Sequence, residues 1–436
     1  MNPIAKELNE VLQTENKYVY EMLSDIGKNL FFPKGILSQS AEAKQKADKI
    51  NATIGIAKEK DGIMFLDSVM DEIPGIPPEN SLSYAPSFGI PALREEWKKE
   101  QFEKNPSLKG KSTSLPVVTN GITHALSTFA DVWTDKGDMI VLPDLFWGNY
   151  NLIMKIRKGL EFSHYETFNS DGGYNVKGFD ECVKKEAKNR DKIIVILNFP
   201  HNPTGYSATE AEAESIVKTL KEVAESGTNV IAVCDDAYFG LFFEEETCKE
   251  SVFAKFAGIH ERLLAIKLDG ATKENFVWGL RCGFMTYSAK TKTDSPLFYE
   301  ALEKKTAGCI RGNISNASHL GQSIVLKSMQ SDSYKNQKNE KFVVLKQRAN
   351  KVREVVEDKK YNDYFKAYPF NSGYFMCIKL LKEVDAEKLR VHLLDNYGVG
   401  LISIDSKNLR IAFSSIDLED VEPLFEAVYK GMNDLL

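Results

Sequence analysis

Residues 229–238 read NVIAVCDDAY, and residues 262–273 read RLLAIKLDGATK. Each begins as an apolar run and ends in residues that carry chemistry. The pattern recurs in LPVVTNG (115–121), DMIVLPDLFW (138–147) and KIIVILNFP (192–200), and GFMTYS (283–288) continues the series. Runs that are apolar continuously, not at alternate positions, belong to strands covered on both faces. Stretches with apolar residues at helical spacing separate some of them, including ITHALSTFADVW (122–133) and TEAEAESIVKTLKEVAESG (209–227). This alternation predicts an α/β fold with a mostly parallel sheet. Ligands of such sheets gather at the carboxyl ends of the strands. The residues to inspect are therefore Asn120-Gly121-Ile122-Thr123, Trp147, Asn202, Asp235-Asp236-Ala237-Tyr238 and Lys273.

The flanks differ from this centre. Residues 1–45 read as helices rich in Lys, Glu and Gln, and INATIGIA (50–57) is a short apolar stretch ending in a glycine turn. From about residue 330 a long charged helix (339–360) leads to YFMCIKL, a helix around DAEKLRVHLLDNYG, the strand NLRIAFS and a C-terminal helix. This predicts a large domain over 62–335 and a smaller α+β domain made of 1–61 and 336–436. A chain of 436 residues is comfortable for two domains, and 43% apolar content is enough for a large core. The net charge of −6 without a dense basic stretch argues against nucleic acid. The six cysteines form no CxxC and the six histidines no HExxH, so no metal site is expected. MNPIAKELNEVLQ has no apolar signal core, and no run approaches membrane-spanning length. A cytoplasmic location without membrane attachment is the expectation.

Nucleotide-binding readings fail on their motifs. The turn TNGITHA lacks GxGxxG. The string GKS at 110–112 lacks the first P-loop glycine, because Asn105 stands there, and it sits in a polar loop. GxSxG is absent, which removes the nucleophile-elbow reading.

What remains is a set of features, each weak alone. Gly121-Ile122-Thr123 lies where a strand turns into a helix, and free N–H groups at such an end attract phosphate. Asn202-Pro203-Thr204-Gly205 reads as a turn whose asparagine faces the same edge. Asp235 ends a buried strand, so it needs a partner or a cation. Asp236 competes for that role, although the spacing to Tyr238 favours Asp235. Lys273 sits at the same edge, with Arg281 eight residues on.

In this order GxT, W-G-N, N-P-T-G, D-x-A-Y and K-x7-R resemble the fold-type I pyridoxal-phosphate aminotransferases (class I/II), nearest the aspartate and aromatic branch. The resemblance spans Asn51 to Arg410. It implies the fold type I transferase architecture and pyridoxal 5′-phosphate as cofactor. The implied activity is ping-pong transfer of an amino group from an amino acid, aspartate or glutamate foremost, to a 2-oxo acid. It also implies roles. Lys273 would hold the cofactor and shuttle a proton, Asp235 would keep its ring nitrogen protonated, and Tyr238 and Asn202 would bond its O3′. Trp147 would stack on the ring. Arg281, with Gly121, Ile122 and Thr123, would hold the phosphate. Tyr84, in SYAPSFG, would reach the phosphate of a second subunit, which makes the expected assembly a homodimer with shared sites. Gly55 would lie at the substrate, and Arg410 would clamp its α-carboxylate. Arg311, in GCIRGNISNAS, would bind a distal carboxylate across the dimer. A surface role for Arg311 is the competing reading.

Three positions depart from the family pattern. Gly270 stands where a phosphate-binding serine is usual, so one contact is lost unless Thr272 or a water supplies it. Tyr150 stands where a histidine would support the aspartate. Asp269 is an extra acid beside the site. A β-lyase or decarboxylase on the same scaffold is the alternative enzyme reading. A non-enzymatic regulator is a third, for which the N-terminal 50 residues are short and insufficiently basic.

Overall fold

The structure is a computed structural model that describes residues 1–15, 23, 28–29, 36–60, 62–291 and 296–436. Of the helices expected over 1–45, Pro3–Glu15 and the start of Ile36–Lys46 are present, and much of the stretch between lies outside the described residues.

Among the described residues, seven strands form the main sheet. They are β1 (Val117–Asn120), β2 (Met139–Pro143), β3 (Glu161–Tyr165), β4 (Lys192–Asn198), β5 (Asn229–Asp235), β6 (Leu263–Gly270) and β7 (Cys282–Ala289). Their order is β1-β7-β6-β5-β4-β2-β3. The sheet is parallel except for β7, which runs antiparallel to both β1 and β6. The central strands β4 and β5 are buried at every position after the first, which is why they read as unbroken apolar runs. Strand β3, EFSHY, escapes that reading. It is an edge strand paired only with β2 and buried at one residue, so its sequence stays polar.

Helices cover the sheet. Those that bear on the site are α1 (Pro91–Lys104), α2 (Ile122–Trp133), α3 (Glu210–Glu225), the single turn α4 (Ala271–Glu274), α5 (Pro296–Asn313) and α6 (Tyr334–Val356). Thr209 and Glu212 form a reciprocal capping box that starts α3. No side chain caps α2, whose N-cap is Gly121.

A second sheet follows in the chain, with strands β8 (Phe365–Ala367), β9 (Met376–Leu380), β10 (Ile402–Ser403) and β11 (Asn408–Ile411). Its order is β8-β9-β11-β10, all antiparallel. Helix α6 starts five residues before the charged stretch read from the sequence. It buries Leu345, Ala349 and Val352, and its Arg348 Nη1 donates to the Ser414 carbonyl at 2.7 Å. Ile50–Asn51 pairs in parallel with Val399–Gly400, joining the N-terminal stretch to the C-terminal region. Among the described residues, no helix is long and apolar enough to cross a membrane, and no group of three His, Cys, Asp or Glu is placed to hold a metal.

Candidate active site

Register builds the site. Asn198 at the end of β4 lies opposite Asp235 at the end of β5, and Asp235 lies opposite Leu268 of β6. The antiparallel β7 begins at Cys282, opposite Asn120, so Arg281 arrives beside the turn into α2. Strand ends, the α2 turn and α4 therefore meet at one edge. They border a cleft lined by Ile122, Thr123, Trp147, Asn198, Asn202, Asp235, Ala237, Tyr238, Thr272, Lys273 and Arg281.

Lys273 is half-buried on the cavity wall, with Nζ 4.9 Å from the centre of the Tyr238 ring. Burial lowers its amine to about 8; the Asp235 charge works against that shift and Arg281 adds to it. Asp235 is 3% exposed. Burial raises its carboxyl to about 6, and hydrogen bonding from Tyr150 and the Lys273 charge restrain the rise. The Tyr150 hydroxyl donates to Asp235 Oδ2 at 2.5 Å. Asp235 Oδ1 is buried without a hydrogen-bond partner. A buried carboxylate oxygen left unpaired is costly, and here it borders the cavity. Asp236 does not compete for this position. It turns away to Lys267, and Ser251 Oγ donates to it at 2.6 Å.

Another part of the cavity wall is cationic. Arg281 has a left-handed backbone (φ 55°), and its Nη1 donates to the Trp278 carbonyl at 3.0 Å. Its guanidinium lies so close to Gly121 that a Cβ there would collide with Nη2. The uncapped N-terminus of α2 adds its dipole at the same point. A guanidinium and helix N–H groups together make an anion site.

Asn202 joins the cavity to Arg410. Arg410 is 1% exposed; its Nη1 donates to Asn202 Oδ1 at 3.2 Å and its Nη2 to the Thr53 carbonyl at 3.0 Å. Phe375 stacks under the guanidinium at 4.1 Å, and Nε has no partner. Gly55 approaches the same corner: a Cβ there would lie 3.1 Å from Phe375 Cζ and 3.9 Å from the Tyr238 hydroxyl.

Tyr84 and Arg311 stand on the surface of the single chain, apart from this cluster. Tyr84 is 89% exposed. Arg311, exposed near the end of α5, donates from Nη1 to Ser315 Oγ at 2.7 Å. Asn198 was missing from the residues singled out in the sequence. It sits inside the run KIIVILNFP, so only its place at the end of β4 marks it. Its Nδ2 donates to the Asp235 carbonyl at 2.7 Å and its Oδ1 accepts from the Asn202 N–H at 2.8 Å.

The departures at Gly270 and Asp269 have steric and electrostatic reasons. A Cβ at Gly270 would fall 2.7 Å from the Cys282 carbonyl oxygen and 2.9 Å from Gly283 Cα, so β7 leaves no room for serine. Thr272 Oγ1, two residues on, is buried and unpaired on the cavity wall. Asp269 points the other way. It accepts from Trp97 Nε1 at 3.2 Å and Gln101 Nε2 at 3.1 Å and lies 3.6 Å from Lys267 Nζ.

Residues 47–428 match the model of the family "Aminotransferase class I and II", and the chain belongs to that family. Among its relatives, the aspartate aminotransferase of a Bacillus species is 28% identical over 272 residues, 62% of this chain and 64% of that protein. That of Geobacillus stearothermophilus is 27% identical over 261 residues, 58% of this chain and 60% of that protein. The matched segment thus spans less than two thirds of either relative. An aminotransferase structure from Anaerococcus prevotii shares the fold with a TM-score of 0.83 at 24% identity, covering 94% of this chain and 99% of that one. The kynurenine aminotransferase of Pyrococcus horikoshii, solved in complex with PMP, has a TM-score of 0.78 at 18% identity, covering 96% and 98%.

Proposed function

We propose that this protein is an aminotransferase that uses pyridoxal 5′-phosphate to move an amino group from an amino acid, aspartate or glutamate foremost, to a 2-oxo acid. One observation carries the reading. A half-buried amine of lowered pKa, a buried carboxylate with one unpaired oxygen and a guanidinium at a helix N-terminus share one cavity. These groups match the aldehyde, the ring nitrogen and the phosphate of that cofactor. The residues present fit the group: the unpaired Asp235 Oδ1 calls for a proton donor, and the close approach of Arg281 to Gly121 forms an anion cradle.

When bound, the cofactor supplies an electron sink for the charge that develops at the substrate's Cα. The protein does the rest. Lys273 would hold the cofactor's aldehyde carbon and, once released, move the proton at Cα; an amine lowered to about 8 is partly neutral at physiological pH and so can act as a base. Asp235, fixed by Tyr150, would keep the ring nitrogen protonated. Tyr238 and Asn202 would bond the ring oxygen, and Trp147 would cover the ring face. Arg281, Ile122, Thr123 and the Gly121 turn would hold the phosphate, with Thr272 supplying the hydroxyl that Gly270 cannot. Arg410 would clamp the α-carboxylate, with Gly55 leaving room beside it.

The same proposal includes a homodimer in which Tyr84 and Arg311 reach the partner's site. The high exposure of Tyr84 and Leu82 supports it. The boundaries 62–335 for the larger domain, and 1–61 with 336–436 for the smaller, belong to the proposal too. The pairing of Ile50–Asn51 with Val399–Gly400 supports them. A cytoplasmic location agrees with six free thiols.

The test is a half-reaction. Protein loaded with pyridoxal phosphate should change its absorbance when aspartate or glutamate is added, and 2-oxoglutarate should restore it. No change with any amino acid refutes the reading, and release of pyruvate or CO₂ without an acceptor replaces it with a lyase or decarboxylase.

A further inference from the structure

Lys273 is carried by α4, a single helical turn. One turn has almost no stability of its own, because nucleation costs more than its first hydrogen bond returns. Something else must hold it. The Tyr374 hydroxyl donates to the Lys273 carbonyl at 3.0 Å. The turn's last residue also belongs to a largely shielded charge cluster with no part in the chemistry above.

Glu274, 8% exposed, sits between two lysines. Lys104 of α1 pairs with it closely, and Lys338 Nζ of α6 lies 2.9 Å from its Oε1. Glu100 of α1 completes the cluster, 3.4 Å from Lys338 Nζ. The next residue is held from the same helix: the Tyr334 hydroxyl donates to Asn275 Oδ1 at 3.0 Å and accepts from Lys338 Nζ at 3.2 Å. Two lysines and two glutamates leave no net charge. Burial alone would raise the Glu274 carboxyl, and the two lysines more than offset that, holding it at about 2. Glu274 is therefore ionised at physiological pH, and its charge holds both lysines above their usual range.

Helix α6 has a second attachment. About three turns beyond Lys338 and four beyond Tyr334 it packs on the C-terminal region, where Arg348 Nη1 donates to the Ser414 carbonyl and Nη2 lies 3.0 Å from Asp417. Ser414 follows Arg410 by four residues. One rigid helix thus touches both the turn that presents Lys273 and the segment that presents Arg410.

We infer that Glu274 is a positioning residue: through Lys338 and Lys104 it fixes the turn carrying Lys273 in register with the helix that supports the Arg410 segment. The inference rests on the proposed role of Lys273. Its test uses readouts that a purely stabilising ion pair would not move. Three variants are compared with the wild type: Glu274→Gln, Lys338→Met and a control, Glu303→Gln. The control breaks the buried Arg94–Glu303 pair (2.7 Å), which touches no cavity residue.

The first readout needs no cofactor: amide hydrogen exchange over residues 271–277 in the apo-protein. The second is the pH titration of the bound cofactor's absorbance. The third is the half-reaction with aspartate, separated into rate at saturation and KM. Glu274→Gln and Lys338→Met should speed exchange in that turn. They should move the absorbance midpoint by roughly half a pH unit or more and lower the saturated rate by about tenfold or more, with KM little changed. The control should lose thermal stability and leave all three readouts alone. If Glu274→Gln fails to fold, Lys338→Met, which keeps the Lys104 pair, decides the matter. Variants that match the control overturn the inference. Faster exchange in the turn with no wild-type absorbance change would instead place the failure in the proposed function.

Discussion

Replacing Tyr150 with phenylalanine removes one oxygen from the buried wall of the site. That oxygen donates to Asp235 Oδ2 at 2.5 Å, and Asp235 Oδ1 has no partner. In Tyr150→Phe the apo-protein's carboxylate would lose its one side-chain donor. A hydrogen bond to a charged group is worth about 1.5–3 kcal/mol, and one pH unit corresponds to about 1.4 kcal/mol. The Asp235 carboxyl, at about 6 in the wild type, should therefore rise by roughly one to two units in the variant. The sign follows from linkage. A carboxyl raised above its ordinary value of 3.8 favours the folded state below that value, and the benefit is lost as pH rises through the folded pKa. Apo-protein stability should fall between about pH 4 and pH 6 in the wild type and go on falling to about pH 7–8 in the variant.

The assay is cofactor affinity as a function of pH. Binding needs Asp235 ionised and the Lys273 amine neutral, so affinity should rise through two inflections, near 6 and near 8. Tyr150→Phe should move the lower inflection up and leave the upper one close to where it was. A lower inflection that stays in place would refute the assignment of Tyr150 as the group that holds Asp235.

Three further substitutions probe other parts of the site. Arg410→Lys loses the planar fork that donates to Asn202 and Thr53; kcat/KM for every amino acid should fall roughly ten- to a hundredfold, the cost of about 1.5–3 kcal/mol of charged hydrogen bonding, and a loss confined to one substrate would contradict the α-carboxylate role. Gly270→Ser restores the family's usual residue, yet the Cys282 carbonyl and Gly283 Cα stand in its way. It should lower thermal stability by about 1–3 kcal/mol, whereas a stable variant with tighter cofactor binding would show that the close approach of β7 is not the reason for glycine. Arg311→Ala should weaken aspartate and glutamate relative to aromatic or aliphatic amino acids in the half-reaction, and an equal loss for all of them would mark Arg311 as a surface or structural residue.

Much of the site could be read in the sequence because the sheet is buried on both faces. Its strands are continuous apolar runs, and the residue after each run is the one presented at the edge. That logic reaches Thr123, Asn202, Asp235 and Lys273 without tertiary information. It fails where the neighbour across the sheet decides the outcome. Gly270 looks like a lost phosphate contact, but its cause is β7 packed against it, and β7 runs antiparallel, which the apolar run GFMTYS cannot reveal. Asp236 and Asp269 look like site acids. Their fate depends on Lys267, a lysine inside an apolar strand that is fully buried between them. Strand β3 is polar because it lies at the edge. The clamp behind Lys273 joins residues 100, 104, 274 and 338, and no local pattern links positions so far apart.

Lys273 as the residue that carries the cofactor is the assignment on which the other roles depend. It is tested most directly by adding pyridoxal phosphate, reducing the complex with borohydride, digesting it and locating the modified peptide by mass spectrometry. One reduced cofactor per chain, attached to Lys273, is the expected result, with none in Lys273→Ala. Stoichiometric attachment to a different lysine, or no attachment under conditions where the cofactor binds, would contradict it.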